Sequence, residues 1–290
     1  MQISNADFWA DKWQEAANGS HFRNVYKDET HCWDTAALSY DKGLGADSHR
    51  VEAVMKMLNE VGFAPGGDRF VLDIGSGTGS FAIPFAQRGW SVDALDSSPE
   101  MNRVLRRKCQ DNAVEGLHIM QADFNDYELA DNSYDLVFGS MNPCLYNPQS
   151  FLRMLAITRN ILVWIGIVDL RPNTGGDAIK PKKTLAELLT GFSAGHNGSN
   201  NIAYPFNLAL ALGLQPKVEY ITMPLRKNEL SPEEACQKLA RQFDHLADEP
   251  DTSQIIADYV ADNLENGSFI EKSGGTMGVV LCRKLRAADE

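Results

Sequence analysis

The middle of the chain alternates short apolar runs with segments of helical spacing. Arg69-Phe70-Val71-Leu72-Asp73-Ile74 is short, rich in β-branched and large apolar residues, and stopped by glycines, which predicts a buried strand. Residues 81–86 predict a helix ending near Gly89, with Pro84 tolerated because it lies in the opening turns. Residues 91–96 predict a second strand. Ser97-Ser98-Pro99-Glu100 then opens a helix, with a serine to cap it, proline near the first position and an acid in the first turn. Residues 117–121, 134–139 and 161–168 predict three more strands, with a helix over 148–159 between the last two. Strands alternating with helices imply right-handed crossovers and a parallel sheet covered on both faces.

Two further strands are predicted at 217–223 and 276–282. Between them, Ser231-Pro232-Glu233-Glu234 carries the serine, proline and third-position glutamate of a capping box. Asp251-Thr252-Ser253-Gln254 precedes Ile255, Ile256, Tyr259, Val260 and Leu264, one apolar face at helical spacing. Ahead of the first strand, residues 6–17, 31–40 and 46–61 are expected to be helical. Phe8, Trp9 and Trp13 are read as a core-facing stripe, or as a face buried in a partner subunit of a homodimer. Residues 171–201 are rich in Gly, Pro, Asn and Lys around a short helix at 185–192, and a connection that long is expected to be a lid or binding element.

The organisation expected is one domain over 1–290. A helical cap spans 1–50, a core 51–170, a lid 171–201, and C-terminal strands 202–290 with a helical insertion at 230–266. The chain has 290 residues, a net charge of −12, 43% apolar and 23% charged residues, an ordinary globular balance. The acidic balance argues against nucleic acid as a partner, which needs a basic face. No apolar run approaches the ~20 residues of a membrane span. Residues 1–7 lack the basic start and apolar stretch of a signal peptide, and the five scattered cysteines form no CxxC pair. A cytoplasmic protein without disulfides or structural metal is expected. Lys180-Pro181-Lys182-Lys183, the one basic run, is read as a solvated face or as a contact for an anionic substrate.

The chemistry concentrates in Val71-Leu72-Asp73-Ile74-Gly75-Ser76-Gly77-Thr78-Gly79. A strand enters a glycine-rich turn and then a helix, so main-chain N–H groups are expected to face whatever sits at the strand ends. Asp96 ends the next strand, where a carboxylate can accept both hydroxyls of a ribose. Asp123, just past the third strand, is placed to meet the edge of an adenine.

On these motifs the chain resembles class I S-adenosylmethionine-dependent methyltransferases. An acid in a strand followed by GxGxG matches the family's first motif at Asp73, Gly75, Gly77 and Gly79. Asp96, followed by Ser97-Ser98-Pro99-Glu100-Met101, matches its ribose-binding acid, and Asp123 with Phe124 its adenine side. Trp33-Asp34-Thr35-Ala36-Ala37-Leu38-Ser39-Tyr40-Asp41 resembles the N-terminal segment that closes over the methionine end in small-molecule members. The resemblance implies a doubly wound, Rossmann-like sheet, mostly parallel and seven-stranded, with an antiparallel last strand. It implies S-adenosylmethionine as cofactor, S-adenosylhomocysteine as product, a small-molecule acceptor, and cofactor contacts from Ser76, Ser97, Ser140, Tyr40 and Trp33 beside the residues just named.

The acceptor is then expected beyond the ends of the fourth and fifth strands, near Asn142, Cys144, Tyr146 and Asp169. Asn142-Pro143 matches half of the Asn-Pro-Pro-aromatic motif of amino-group methyltransferases, and equally suits a plain turn. Cys144 is read as a reactive group or, more plainly, a small core filler. His31, His196 and Tyr146 are the candidate catalytic groups, each also explicable as a packing or loop residue. A metal site is not expected, since no ligand spacing supports one. Two alternatives stay open. One is a nicotinamide dinucleotide enzyme, whose GxGxxG would want glycine at Ser80. The other is a cofactor-binding homologue without transferase activity.

Overall fold

A computed structural model describes residues 5–19, 29–38, 40–42, 48–64, 68–170, 184–190, 198–243, 246–247 and 249–284. Five parallel strands form one half of the sheet: β1 (Phe70–Ile74), β2 (Ser91–Asp96), β3 (Leu117–Gln121), β4 (Tyr134–Ser140) and β5 (Thr158–Leu170). β6 (Lys217–Leu230) and β8 (Ser268–Arg283) complete it, and the two-residue β7 (Leu264–Glu265) pairs with β8. The order is β3-β2-β1-β4-β5-β8-β6, with β8 antiparallel to both neighbours. The seven-stranded, mostly parallel sheet expected from the sequence is present. Its antiparallel strand is last in the chain but second from the edge in space.

The helices are α1 (Ala6–Asn18), α2 (Glu29–Ala36), α3 (Ser48–Glu60), α4 (Ala82–Ala86), α5 (Pro99–Asp111), α6 (Pro148–Ile157), α7 (Leu185–Thr190), α8 (Ala203–Ala211), α9 (Pro232–Gln242) and α10 (Thr252–Asp262). Their starts follow local chemistry. Ser98 and Asn147 cap α5 and α6 through their side chains, each with proline at the first turn, and Ser231 with Glu234 closes a full capping box on α9. Asp251 precedes α10 in a left-handed conformation, φ 67°, and makes no side-chain cap.

The sheet is buried on both faces. One cluster joins Val71, Phe138, Val163 and Val279 to Val54 and Leu58 of α3 and Phe85 of α4. The other joins Leu72, Val137, Leu162 and Val280 to Trp13 of α1 and Phe151 of α6. Trp13 is fully buried. Its ring stacks on Tyr204 of α8 at 6.1 Å and meets Phe151 and Trp164, and its Nε1–H donates to the Ser199 carbonyl at 2.8 Å. Of the predicted aromatic stripe, Trp9 packs partly against this cluster. Phe8 does not: it is 47% exposed, because it lies on the far side of α1.

Two features depart from the sequence reading. Helix α8 was not anticipated, since its apolar residues run around the helix and give no amphipathic period. The pairing of β6 with β8 also runs beyond 217–223 and 276–282, out to Leu230 opposite Phe269. Here Pro224-Leu225-Arg226-Lys227-Asn228-Glu229 has no apolar alternation to read, and only its far end, where Leu230 meets Phe269, packs into a core. Leu170 of β5 pairs with Gly275, so the remainder of this ribbon projects past the C-terminal ends of the parallel strands. It carries α9 and α10, which pack with α7 around a separate core of Leu185, Leu239, Phe243, Ile256 and Phe269.

Candidate functional site

β1 delivers the chain into a turn that only glycine fits. Gly75 has φ +69°, and a Cβ there would lie 1.9 Å from the Asn142 amide nitrogen. At Gly79, φ +86°, a Cβ would lie 2.3 Å from Leu105 of α5. Both glycines therefore allow close packing of the turn against its neighbours.

Four of the turn's N–H groups are already spent within the protein. Gly75 and Ser76 donate to the Leu95 carbonyl at 2.7 and 3.1 Å, Gly77 donates to Asp96 Oδ2 at 2.8 Å, and Gly79 donates to the Ser76 carbonyl at 2.9 Å. The expectation that these donors face a ligand is corrected: they stitch β1 to β2. The consequence is chemical, because a pyrophosphate needs such donors, and the N–H groups of Gly75, Ser76, Gly77 and Gly79 are already used.

Asp96 lines the cleft that opens at these strand ends. Its Oδ2 accepts from Gly77 and its Oδ1 accepts the Ser98 N–H at 2.9 Å, which fixes the carboxylate plane. Burial pushes its pKa above the ordinary carboxylate range, while the Ser98 and Gly77 N–H groups pull it back. Asp73 sits behind the turn and is not part of the cleft lining. Burial, then the nearby Asp96, push its pKa up to about 8, against a hydrogen bond from the Ala82 N–H.

A pH prediction follows for Asp73. The native state keeps its proton up to about 8, whereas the unfolded chain ionises from the ordinary value of 3.8. The group's contribution to stability is complete below the ordinary value, falls as pH rises between the two values, and is flat above both. Urea midpoints measured from pH 5 to pH 9 should decline with pH in the native protein, and Asp73→Asn should flatten that decline.

The cleft holds about 730 Å³ of empty space with its mouth and the open solvent there included. Gly75, Gly77, Asp96, Ser97, Asp123, Phe124, Ser140, Asn142, Cys144, Tyr40 and Trp33 all line it, as the sequence proposed. Asp123 is exposed and holds the Asn125 N–H at 2.8 Å, and Phe124 is buried under the Arg153 guanidinium, 4.6 Å from its ring centre. The Ser140 hydroxyl is buried with no partner inside the protein, as is that of Ser76. Met141 follows with φ 52°, a strained main-chain conformation at the end of β4. The Asn142 Oδ1 accepts the Cys144 N–H at 3.0 Å and starts a 3₁₀ turn over Pro143–Leu145.

Tyr146, next along, is buried. Burial keeps its phenol well above the ordinary tyrosine range, with Tyr40 and Cys144 adding to this and a hydrogen bond from Asn200 opposing it. His31 lies in α2 with its side chain outside the described residues, as does the side chain of Asp169 in β5. His196 and the Lys180-Pro181-Lys182-Lys183 run fall outside the described residues. Among the described residues no cluster of His, Cys, Asp and Glu could hold a metal.

The N-terminal segment docks over the cleft through two carboxylates whose part the sequence did not reveal. Asp34 accepts the Ser98 hydroxyl at 2.5 Å and the Glu100 N–H at 3.3 Å, at the head of α5. Asp41 accepts the Thr78 hydroxyl at 2.6 Å and pairs with Lys108 at 3.0 Å. Between them Trp33 and Tyr40 meet edge to face at 6.3 Å. Ile74, Leu95, Met101, Ala122 and Met141 also line the cleft, and no local signal marks them, since their role depends on which strand ends become neighbours.

Residues 71–163 match the family model of a methyltransferase domain. A demethylmenaquinone methyltransferase of Renibacterium salmoninarum is 35% identical over 107 residues, 36% of this chain and 41% of that protein. This chain thus spans well under half the length of that curated relative. A methyltransferase structure from Bacillus halodurans covers 80% of this chain and 99% of its own at 14% identity, TM-score 0.51. A phosphoethanolamine N-methyltransferase of Haemonchus contortus, solved with S-adenosylhomocysteine, covers 91% of this chain and 60% of its own at 16% identity, TM-score 0.50. These two structures share the fold. The family match lies on this strand order and on the strands that form this cleft, so residues 71–163 are similar to a methyltransferase domain.

Proposed function

We propose that the chain is an S-adenosylmethionine-dependent methyltransferase acting on a small molecule. The observation that carries this is the Asp96 carboxylate, prepositioned in the cleft at the end of β2 with lone pairs to spare, beside a glycine turn whose Gly75, Ser76, Gly77 and Gly79 N–H groups are spent within the protein. Each Asp96 oxygen accepts one main-chain N–H, which leaves acceptor capacity on both for a pair of hydroxyls. A ligand with a ribose fits that acceptor, and the four spent N–H groups of the turn favour one that brings no phosphate there.

In this reading Asp96 and Ser97 hold the ribose, and Asp123 with Phe124 flank the adenine. The unpartnered Ser140 hydroxyl and the glycine turn serve the amino-acid end. Asp73 shapes the turn from behind as a neutral carboxyl. Bound there, S-adenosylmethionine supplies a methyl group on a positively charged sulfur, a donor that requires alignment and a dry site more than acid–base help. Trp33 and Tyr40 cover the cleft and present ring faces suited to a cationic centre. The acceptor enters past Asn142, Cys144 and Tyr146, beneath the ribbon that carries α9 and α10. Tyr40 and Tyr146 are held neutral by burial, so they orient an acceptor through their hydroxyls rather than remove its proton.

The same reading takes 1–290 as one unit of cap, core and ribbon. No helix among the described residues is long and apolar enough to cross a membrane, and Cys109, Cys236 and Cys282 are free thiols, which supports a reducing, cytoplasmic setting. The net charge of −12 supports a small acceptor over a nucleic acid.

Two experiments test this. Incubation with methyl-labelled donor and mixed small amines, phenols and thiols should put label into the small-molecule fraction and release S-adenosylhomocysteine. A protein that binds the donor yet never turns it over across such a panel would be a silent homologue. Asp34→Ala should unlatch the cap and raise the donor KM about tenfold, the loss of one charge-assisted hydrogen bond, with circular dichroism unchanged. An unchanged KM would show that the cap does not contribute to the donor site.

A further inference from the structure

The opposite end of the sheet carries a second concavity, remote from the cleft. Helix α3 ends at Glu60 and the chain reverses through Gly62, φ +75°, which tucks Phe63 against Trp90 at 5.2 Å. This leaves a groove between the end of α3 and the base of β5, β8 and β6. One arm is lined by Glu60, Lys217, Leu281 and Arg283, the other by Phe63, Arg69, Arg159, Arg283 and Lys284, and Arg283 is common to both.

The charge here runs against the protein as a whole. Arg159 is neutralised by Asp135 at 3.0 Å, and Lys217 approaches Glu60 at 3.9 Å. Arg69, Arg283 and Lys284 then face a single acid, Asp68, a surplus of two positive charges in a chain of net charge −12. Lys284 Nζ is ringed by Asn132 Oδ1 at 2.8 Å and by the Thr158, Leu155 and Ala156 carbonyls at 3.0, 3.1 and 3.4 Å, so its N–H donors are used within the protein, its charge is fixed in place, and among the described residues it pairs with no carboxylate. Arg69 is fixed too: its guanidinium stacks 4.3 Å from the Phe63 ring centre, and its Nη1 is buried with no hydrogen-bond partner among the described residues. An unsatisfied guanidinium nitrogen is costly, and rigid guanidinium groups suit oxyanions.

We propose that this groove binds a multiply charged oxyanion of the phosphate kind, as the free ion or as a phosphate-bearing metabolite. Arg69 and Arg283 clamp it and Lys284 adds a fixed point charge. This site is independent of the methyl-donor cleft.

Calorimetric titration of the full chain with pyrophosphate, inorganic phosphate and glycerol phosphate, at constant ionic strength, tests it. Sub-millimolar binding of at least one is expected, and which one binds identifies the source. Arg283 is exposed and lies at the end of β8, so Arg283→Gln should fold normally and weaken binding at least tenfold, while titration with S-adenosylhomocysteine stays unchanged. Arg69→Lys, which keeps the charge and loses the planar fork, should also weaken it. Absence of binding at 10 mM, equal binding of citrate, or full affinity in Arg283→Gln would overturn the proposal.

Discussion

Asp96→Ala loses about 1.5–3 kcal/mol of affinity for S-adenosylmethionine, a drop of roughly tenfold to 150-fold, while the protein stays folded. The expected loss is large because the carboxylate is prepositioned. The Gly77 and Ser98 N–H groups fix its plane at 2.8 and 2.9 Å, so ribose hydroxyls meet an acceptor that gives up no further freedom on binding. Part of the loss is indirect, since the substitution frees the Gly77 N–H and loosens the turn. Asp96→Asn separates the two contributions. It keeps one oxygen to accept an N–H but loses the charge, and is expected to fall between the native protein and Asp96→Ala. Calorimetry with S-adenosylhomocysteine measures all three. Unchanged affinity in Asp96→Ala would remove the ribose assignment.

Trp13→Ala is expected to cost about 3–5 kcal/mol of folding stability, the range for deleting a large fully buried side chain. Trp13 is where α1, α6, β5 and α8 meet, through Phe151, Trp164 and Tyr204, and its indole N–H is the donor for the buried Ser199 carbonyl. The substitution therefore opens a cavity and strips a hydrogen bond together. Because Ser199 precedes Asn200, the partner of Tyr146, the same change should disturb the acceptor side of the cleft before global unfolding. Chemical denaturation gives the stability. A loss below about 1 kcal/mol would mean that α1 is peripheral to the core.

How much of this was legible in the sequence depends on where each signal resides. The parallel strands were readable because each is a short apolar run bounded by glycine or polar residues. Ser98 and Ser231 marked their helices because capping is a local hydrogen bond. Asp96 and Asp123 were readable as well, since the βα alternation places strand ends on one side of the sheet. The glycines were legible as a turn but not in their purpose: only the packed structure shows that Gly75 makes room for Asn142 and Gly79 for Leu105. The latches at Asp34 and Asp41 were hidden, because Ser98, Thr78 and Lys108 lie 37 to 67 residues away along the chain. The ribbon beyond Met223 was hidden for a different reason. Arg226 to Glu229 pair with β8 through the main chain but carry no apolar alternation for a reader to follow.

The most direct test of the central claim is calorimetric titration of the purified chain with S-adenosylmethionine and S-adenosylhomocysteine, with NADH and NADPH as controls. The account predicts micromolar or tighter binding of both adenosyl ligands and none of the nicotinamides, because the Gly75, Ser76, Gly77 and Gly79 N–H groups that would hold a pyrophosphate are used within the protein. Binding of a nicotinamide dinucleotide, or failure of folded, ligand-free protein to bind either adenosyl ligand, would contradict it.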